Sequence, residues 1–316
     1  MKRGVVYGGM AGATWGLVIL APSLLPEFSP LLLSCARYSL YGLVSLLIAL
    51  PVAPRLLRRL TIDDTLKLVQ LALTGNIVYY LLLASAIQLA GVASAALIVG
   101  VVPVTVTLLG RRDAGAVPLR RLAVPLLLVV VGIACINLET LLFDPAPQRP
   151  LGERLLGIAC AFAALGCWTW FAAANARCLK QSRFDSGEWS TLWGIVTGLL
   201  AALLWLGAAL LLPDSLRVEA SEQRWTAFWL LSLSSAVLGS WLANLLWNAA
   251  SRRLPLTLTG QLIVFETLFS LLYGFLYLQR LPTLLETLAI GLLIGGVTWA
   301  VRRHAVPHGE MAGGAG

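Results

Sequence analysis

The sequence predicts an all-α membrane protein that crosses the bilayer ten times. The chain of 316 residues is 59% hydrophobic and only 12% charged, its apolar residues form ten long stretches, and its basic residues favour one side of the implied membrane. About 20 helical residues, rising ~1.5 Å each, span the ~30 Å hydrocarbon core of a bilayer. The predicted helices cover residues 4–21, 30–51, 66–89, 91–109, 122–138, 155–176, 189–212, 225–250, 255–278 and 282–301.

The distribution of lysine and arginine sets the predicted orientation. With the N-terminus in the cytoplasm, seventeen of the 23 basic residues face the cytoplasm, as the positive-inside rule expects. These residues are Lys2, Arg3, Arg55, Arg58, Arg59, Lys67, Arg111, Arg112, Arg120, Arg121, Arg177, Lys180, Arg183, Arg252, Arg253, Arg302 and Arg303. We therefore predict cytoplasmic N- and C-termini. Orientation and anionic lipid explain the net charge of +8, so we expect no nucleic-acid partner.

The chain also contains an internal repeat. A shift of 164 residues aligns ALIVGVVPVTVTLLG of helix four with GQLIVFETLFSLLYG of helix nine, and a shift of 153 aligns Trp15 with Trp168. Because each half has five helices, the second half enters the membrane from the opposite side. The predicted domains are a first repeat over 1–145, an inverted second repeat over 146–303 and a disordered tail over 304–316. Five-plus-five inverted repeats are typical of transporters that work by alternating access.

Polar and aromatic side chains near the middle of these helices are candidates for a substrate site, because polar groups in hydrocarbon are costly and usually face the bundle interior. Helix eight carries a tryptophan and asparagine group, Trp241, Asn244, Trp247 and Asn248, whose spacing of three to seven residues places it on one side of the helix. The predicted substrate-binding residues are Trp15, Asn76, Tyr79, Tyr80, Trp168, Trp241, Asn244, Asn248 and Gln261.

Such residues would form a cavity with aromatic walls and neutral amides. It would suit an amphipathic solute whose ring stacks on the indoles and whose polar ends form hydrogen bonds. In the alternative interpretation the aromatic residues only pack, with a satisfied polar tip, and the asparagines join helices. The sequence leaves both interpretations open.

Three further residues lie inside predicted helices where they need an explanation. Arg37 and Glu266 form a buried ion pair, or Glu266 binds a solute ammonium group or carries a coupling proton. Pro103 removes a backbone hydrogen bond within helix four, so it is either a gating kink or a tolerated proline.

The sequence lacks the motifs of competing function classes. It has no GxxxxGK[ST] loop for ATP and no HExxH metal site. His304 and His308 are its only histidines, and its five cysteines form no close CxxC pair. We therefore expect no enzyme activity, no metal and no cofactor. The expected partners are a small-molecule solute and the lipid bilayer, and the oligomeric state is left open.

The chain resembles the drug/metabolite transporter superfamily, in its ten-helix EamA branch, over residues 4–301. The resemblance rests on Trp15 after small residues, on CARYSLYGLVSLL around Arg37, on ALIVGVVPVTVTLLG with Pro103, and on ETLAIGLLIGGV around Gly291.

One departure from the family pattern concerns helix nine. The family often has Glu-Pro there, where this chain has Glu266 and Thr267. Whether helix nine bends is therefore left open.

Within this branch the chain is most similar to the YddG-type aromatic amino acid exporters. The resemblance implies a basket of ten helices with an aromatic central cavity. It also implies export of aromatic and other neutral amino acids, or related amphipathic metabolites, across a bacterial inner membrane. The alternative is a broad-specificity drug or metabolite exporter. The rival class is a membrane-embedded enzyme or signalling protein without solute flux.

Overall fold

A computed structural model describes residues 1–18, 24–143 and 149–305. Within these ranges each of the ten predicted segments is helical over most of its length. The helices are α1 (Lys2–Val18), α2 (Pro30–Ala49), α3 (Ile62–Ala90), α4a (Val92–Val99), α4b (Val102–Leu109), α5 (Leu119–Phe143), α6 (Leu151–Gln181), α7 (Ser186–Leu211), α8 (Glu222–Arg253), α9a (Leu256–Leu262), α9b (Val264–Leu278) and α10 (Leu284–Ala305).

These helices have the length and composition of membrane spans. Within the described ranges, nine spans are long and apolar enough to cross a bilayer when α4 and α9 each count once. The helix α1, described over 17 residues, packs against α8 and α9b and completes the bundle. The protein is therefore an all-α, multi-pass membrane protein. The predicted end of helix one, at residue 21, lies outside the described residues.

Side-chain caps fix where several helices begin. At the start of α3 the Thr61 hydroxyl accepts from the Asp64 N–H at 3.2 Å, and the Asp64 carboxylate accepts from the Thr61 N–H at 3.1 Å. Asp185 and Glu188 form the same reciprocal arrangement before α7. Because these caps satisfy N–H groups that the first helical turn leaves free, α3 starts four residues before its predicted position and α7 three before.

Helices α3 and α8 are interrupted at equivalent positions. Each contains a π-helical segment, Leu73–Ile77 in α3 and Val237–Leu242 in α8. The first residues of these segments are 164 positions apart (237 − 73), which is the shift that aligns helices four and nine. The break between α4a and α4b is separated from the break between α9a and α9b by nearly the same number of residues. These interruptions support an inverted repeat, and the domain boundary near residue 145 stays a prediction.

The two repeats meet where α2 crosses α7. Gly42 and Gly198 touch so closely that a methyl group on either would collide with the backbone of the other. Elsewhere α5 packs against α10, α3 against α6, and α1 against α8 and α9b. Gly12 and Gly16 allow the close approach of α1 to the backbone of α9b.

The bundle has two ends, which differ in charge. We call the end where α1 begins and α10 finishes the basic end. There Gly4 lies against Leu254, and Gly110 lies against Leu256. The opposite, or far, end includes the ion pair between Arg224 and Glu27. By the positive-inside rule the basic end is expected in the cytoplasm.

The structure corrects the predicted start of the C-terminal tail. Residues 304 and 305 belong to α10, and a ring nitrogen of His304 lies 2.9 Å from the Thr257 hydroxyl. This contact joins the end of α10 to the start of α9a, so helix packing extends further than the apolar stretch alone suggested. Residues 306–316, including His308, lie outside the described part of the chain.

The interior is closed at the basic end and open at the far end. At the basic end α9a packs against α4b, and all seven residues of α9a are buried. The repeat shift relates α4a to α9a and α4b to α9b. The far-end pair that corresponds to α9a and α4b is therefore α4a and α9b. Among the described residues these two helices make no substantial contact, and Val264 alone is buried in α9b. The far end of the bundle therefore leaves space between α9b and α4a.

Candidate functional site

Three indole rings from three helices meet inside the bundle. The ring centroids of Trp15 and Trp247 are 5.3 Å apart, those of Trp168 and Trp247 6.4 Å, and those of Trp15 and Trp168 6.5 Å. Aromatic rings attract one another at these separations. Trp15 and Trp168 remain partly exposed, so two faces of this indole cluster are accessible. The structure thus brings together Trp15 and Trp168, two of the predicted substrate-binding residues, and their role in binding stays a prediction.

The predicted set of binding residues omitted Trp247, which completes the indole cluster. Its side chain is 1% exposed, and its indole N–H has no hydrogen-bond partner among the described residues. The helix-eight spacing already contained this residue.

A rigid base supports the indole cluster. Trp168 contacts Phe171 with ring centroids 5.7 Å apart, and Phe171 stacks on Trp193 of α7 at 4.9 Å. Gly75, in the π-helical segment of α3, makes room for the Phe171 ring, because a methyl group there would collide with it. The position of Trp168 is thus fixed by packing between α3, α6 and α7.

Arg37 contacts the interrupted part of α8 rather than Glu266. Its Nε donates to the Ser240 hydroxyl at 2.9 Å, and its Nη2 donates to the Gly239 carbonyl at 3.0 Å. A π-helical segment leaves backbone carbonyls without regular partners, and the guanidinium satisfies one of them. The predicted direct ion pair between Arg37 and Glu266 is absent from this structure.

Glu266 lies close to the indole cluster. The backbone of Phe265 and Glu266 touches Gly12, one helical turn before Trp15. The Glu266 side chain is partly exposed, and in the described chain its carboxylate forms neither a hydrogen bond nor an ion pair. It is near enough to Arg37 and Tyr79 for electrostatic interaction. An unpaired carboxylate beside aromatic rings is suited to a cation, and a coupling role for it stays a prediction.

Three of the predicted binding residues join helices instead. The Asn76 amide donates to the Thr197 hydroxyl at 3.1 Å, and the Trp241 indole donates to the Thr191 hydroxyl at 3.1 Å. The amide of Asn244 reaches the Tyr41 hydroxyl at 3.5 Å. These partners lie on α7 and α2, so here the alternative interpretation as packing residues applies.

Asn248 likewise belongs to a buried network. The Asn175 amide donates to the Asn248 carbonyl oxygen at 2.9 Å, and the Trp189 indole donates to the Asn175 carbonyl oxygen at 2.9 Å. The Nδ2 of Asn248 has no partner among the described residues. Spacing along α8 correctly placed Asn244 and Asn248 on a polar face, but this face packs on α6, α7 and α2.

Gln261 and Pro103 lie at the closed basic end. The Gln261 amide donates to the Thr107 hydroxyl at 3.1 Å, and this hydroxyl donates to the Pro103 carbonyl at 2.7 Å. Pro103 is the second residue of α4b, in the first turn, where no N–H donor is needed. The predicted kink is therefore a complete break at Gly100 and Val101. A break also occurs at Ile263 without a proline, so α9 is interrupted despite Thr267.

The remaining predicted residues, Tyr79 and Tyr80, lie on the last turns of α3. Both are partly exposed. Tyr80 lines a small pocket that also contains Arg37. Together with the indole cluster and Glu266, these side chains offer aromatic faces and opposite charges to the interior.

Comparison with known proteins agrees with this architecture. The model of the EamA-like transporter family matches residues 2–138, which lie within the first five helices. The inner membrane protein YtfF of Escherichia coli (strain K12) is 38% identical over 315 residues, covering 96% of both chains. Another protein of known crystal structure has the same fold, with a TM-score of 0.77 and 20% identity over 97% of this chain and 100% of that one.

The fold, the internal repeat and a relative that matches nearly the whole length lead to one assignment. Ten membrane helices with paired interruptions surround an interior lined by aromatic and charged groups. The chain belongs to the EamA-like transporter family, within the drug/metabolite transporter superfamily.

Proposed function

We propose that the protein exports aromatic and other neutral amino acids, or closely related amphipathic metabolites, across the bacterial inner membrane. One observation carries the proposal. The indole cluster of Trp15, Trp168 and Trp247 has two partly exposed rings, and α9b packs on α1 near it, with the Glu266 backbone against Gly12, one helical turn before Trp15.

The chemistry of this site favours a solute with an aromatic ring and an ammonium group. Indole faces stack on aromatic rings and attract cations. A carboxylate in a low-dielectric interior binds an ammonium group, provided that the two charges approach closely. An aromatic amino acid carries both groups, separated by a few bonds, whereas Asp or Lys would bring an additional unpaired charge.

The paired contacts in the two repeats support alternating access. The packing of α9a on α4b closes the basic end, while the equivalent α4a and α9b are apart. Exchange of these two arrangements would expose the same interior to the other side of the membrane. Glu266 would either hold the solute ammonium group or carry a coupling proton during this exchange.

The direct test is counterflow of labelled tryptophan into proteoliposomes preloaded with unlabelled amino acids. We expect uptake that Phe and Tyr suppress and that Asp and Lys leave unchanged. Empty liposomes provide the background. Repeating the assay with an imposed pH gradient separates proton coupling from facilitated diffusion, because only a coupled carrier changes its rate.

Two variants on one helix test the indole cluster. Trp168→Ala removes an aromatic contact of ~0.5–1.5 kcal/mol beyond area burial, so the half-saturating tryptophan concentration should rise about tenfold while the protein stays monodisperse. Trp170→Ala is the matched control, because Trp170 is 43% exposed on the outside of α6. If both variants transport tryptophan equally well, the indole cluster is not part of the substrate site.

The alternative is a broad-specificity drug or metabolite exporter, in which the aromatic walls select by size and apolarity. Uptake of apolar cations that Phe does not suppress would favour it. Absence of flux for every solute in well-folded protein would favour the enzyme or signalling class.

A further inference from the structure

A small pocket that no tryptophan lines reaches Val18 of α1, one helical turn after Trp15, and its mostly apolar wall contains a few polar side chains. It is enclosed by α1, α2, α3 and α8 and has a volume of about 100 Å³. Its lining residues are Val18, Leu25, Pro30, Leu33, Ser34, Arg37, Tyr80, Leu231, Ser232 and Ser235. The polar groups are therefore one guanidinium and four hydroxyls, without a carboxylate.

Arg37 gives this pocket a positive charge that no acidic residue neutralises directly. A guanidinium carries five N–H donors. Arg37 uses Nε and Nη2 on Ser240 and Gly239, and its Nη1 makes no hydrogen bond in the described part of the chain. Among the described residues Arg37 also forms no salt bridge. Donors therefore remain for an anion that approaches from the pocket.

Ser232 provides an independent sign of a missing partner. Its side chain is 4% exposed, and its hydroxyl has no hydrogen-bond partner among the described residues. Buried polar groups are nearly always satisfied, so a free hydroxyl at the wall of this pocket indicates a ligand group that binds there.

We infer that this pocket binds the carboxylate group of the transported solute, with Arg37 and Ser232 as its donors. The inference rests on the proposed function, because it takes the solute to be an amino acid. Arginine pairs with carboxylates through parallel N–H donors. A water molecule occupies ~30 Å³, so the pocket holds a group about three waters in size. Sites for whole drug-sized ligands are ~300–1,000 Å³, so the aromatic ring of the solute would stay outside this pocket.

The first experiment compares solutes that differ only at the carboxylate. Unlabelled tryptophan, tryptophanamide and tryptamine compete against labelled tryptophan in the counterflow assay. In the wild type we expect tryptophan to compete roughly 10- to 100-fold better than the other two, as for loss of a hydrogen bond to a charged group. Arg37→Gln should reduce this ratio to near one, and Arg37→Lys should retain part of it.

Arg37 also holds the interrupted segment of α8, so a second variant separates binding from folding. Ser232→Ala removes a hydroxyl that has no hydrogen-bond partner among the described residues, and should lower the tryptophan preference several-fold without loss of stability. Ser39→Ala is the matched control, because its hydroxyl is also buried and unpartnered but does not line the pocket. An unchanged preference in folded Arg37→Gln and Ser232→Ala would overturn the inference.

A binding measurement distinguishes failure of this inference from failure of the proposed function. Acetate should raise the thermal stability of purified wild type above that in chloride at equal ionic strength, and Arg37→Gln should lose this effect. If tryptophan is not transported but acetate stabilises through Arg37, the carboxylate pocket stands and the aromatic amino acid proposal falls. If acetate has no effect on the wild type, the pocket inference falls.

Discussion

The two ends of the bundle contain equivalent helix pairs in different arrangements. At the basic end Gly260 of α9a lies against Val106 and Thr107 of α4b, and α9a is buried throughout. At the far end the equivalent pair, α4a and α9b, makes no substantial contact among the described residues. Related sequences thus adopt a packed and an open arrangement within one molecule. The difference shows that equivalent helix pairs can pack differently at the two ends of one bundle.

The closed end is tightly packed, but some of its buried polar groups lack hydrogen-bond partners. In the described part of the chain, the Gln261 carbonyl oxygen and the Asn248 Nδ2 are buried without partners. Each such group costs ~1–3 kcal/mol. This cost offsets part of the stabilisation from burying α9a, so the basic end is suited to opening. At the crossing of α2 and α7 the backbones of Gly42 and Gly198 are in direct contact, and we expect this crossing to persist in both arrangements.

The largest effect is expected at the helix crossing that both ends share. Gly42→Leu places a side chain against the Gly198 backbone, where neither helix can move without separating the repeats. Overpacking of this kind costs ~1–3 kcal/mol or more, so we expect loss of monodisperse protein in size-exclusion chromatography and a lower melting temperature. Gly207→Leu, on α7 with nothing within 4 Å of its added Cβ, should behave as wild type. Normal stability of Gly42→Leu would mean that the crossing is loose.

The next effect should disturb the basic end alone. Gly260→Phe should push α9a away from α4b and keep the basic end open. Overpacking costs ~1–3 kcal/mol, so we expect the rate of counterflow to fall 10- to 100-fold because the closed arrangement becomes less stable. A cysteine placed at Thr107 should then react with a polar thiol reagent, as read by mass spectrometry of that peptide. Gly274→Phe on α9b has free space around its Cβ and serves as control. Unchanged labelling at position 107 would contradict the proposed closure.

Gln261→Leu should have a smaller effect, and it should stabilise the closed basic end instead of opening it. The substitution removes the unpartnered carbonyl oxygen, while the Thr107 hydroxyl keeps its bond to the Pro103 carbonyl. The packed end should gain ~1 kcal/mol, which raises the melting temperature and slows counterflow several-fold because opening becomes harder. Gln88→Leu, at an exposed position of α3, controls for the change in side-chain polarity. Faster transport in Gln261→Leu would argue against this account of the closed end.

The smallest effect concerns pH at the far end. The Arg224 guanidinium donates to the Glu27 carboxylate at 2.8 Å and lowers the pKa of Glu27. Because the folded-state pKa lies below the ordinary value of ~4.3, this contribution to stability is present above that value and disappears as pH falls through the folded pKa. Melting temperature measured from pH 7 to pH 3 should fall less steeply in Glu27→Gln than in the wild type. Asp214→Asn, in a highly exposed ion pair, should keep the wild-type slope.

The candidate site was only partly predictable from sequence. Trp15 and Trp168 were candidates because tryptophans at mid-depth are unusual, but only the structure shows that their rings approach each other. Asn76, Asn244 and Asn248 were assigned to a cavity because they share helix faces, but spacing does not tell which neighbour that face meets. Ser232 gave no sign in the sequence, because serines are common throughout α8 and only burial without a partner distinguishes it.

The sequence by itself determined the ten helices, the sidedness of charge and the shift of 164 residues between the repeats. Hydrophobic length, loop charge and helical periodicity are local properties, and the bilayer acts on them directly. Tertiary structure alone decided that Arg37 contacts α8 instead of Glu266, that α9 breaks at Ile263 without a proline, and that the basic end is the closed one. These outcomes depend on which buried donors and acceptors meet across helices, and in a dry interior an unpaired polar group is too costly for local sequence to decide them.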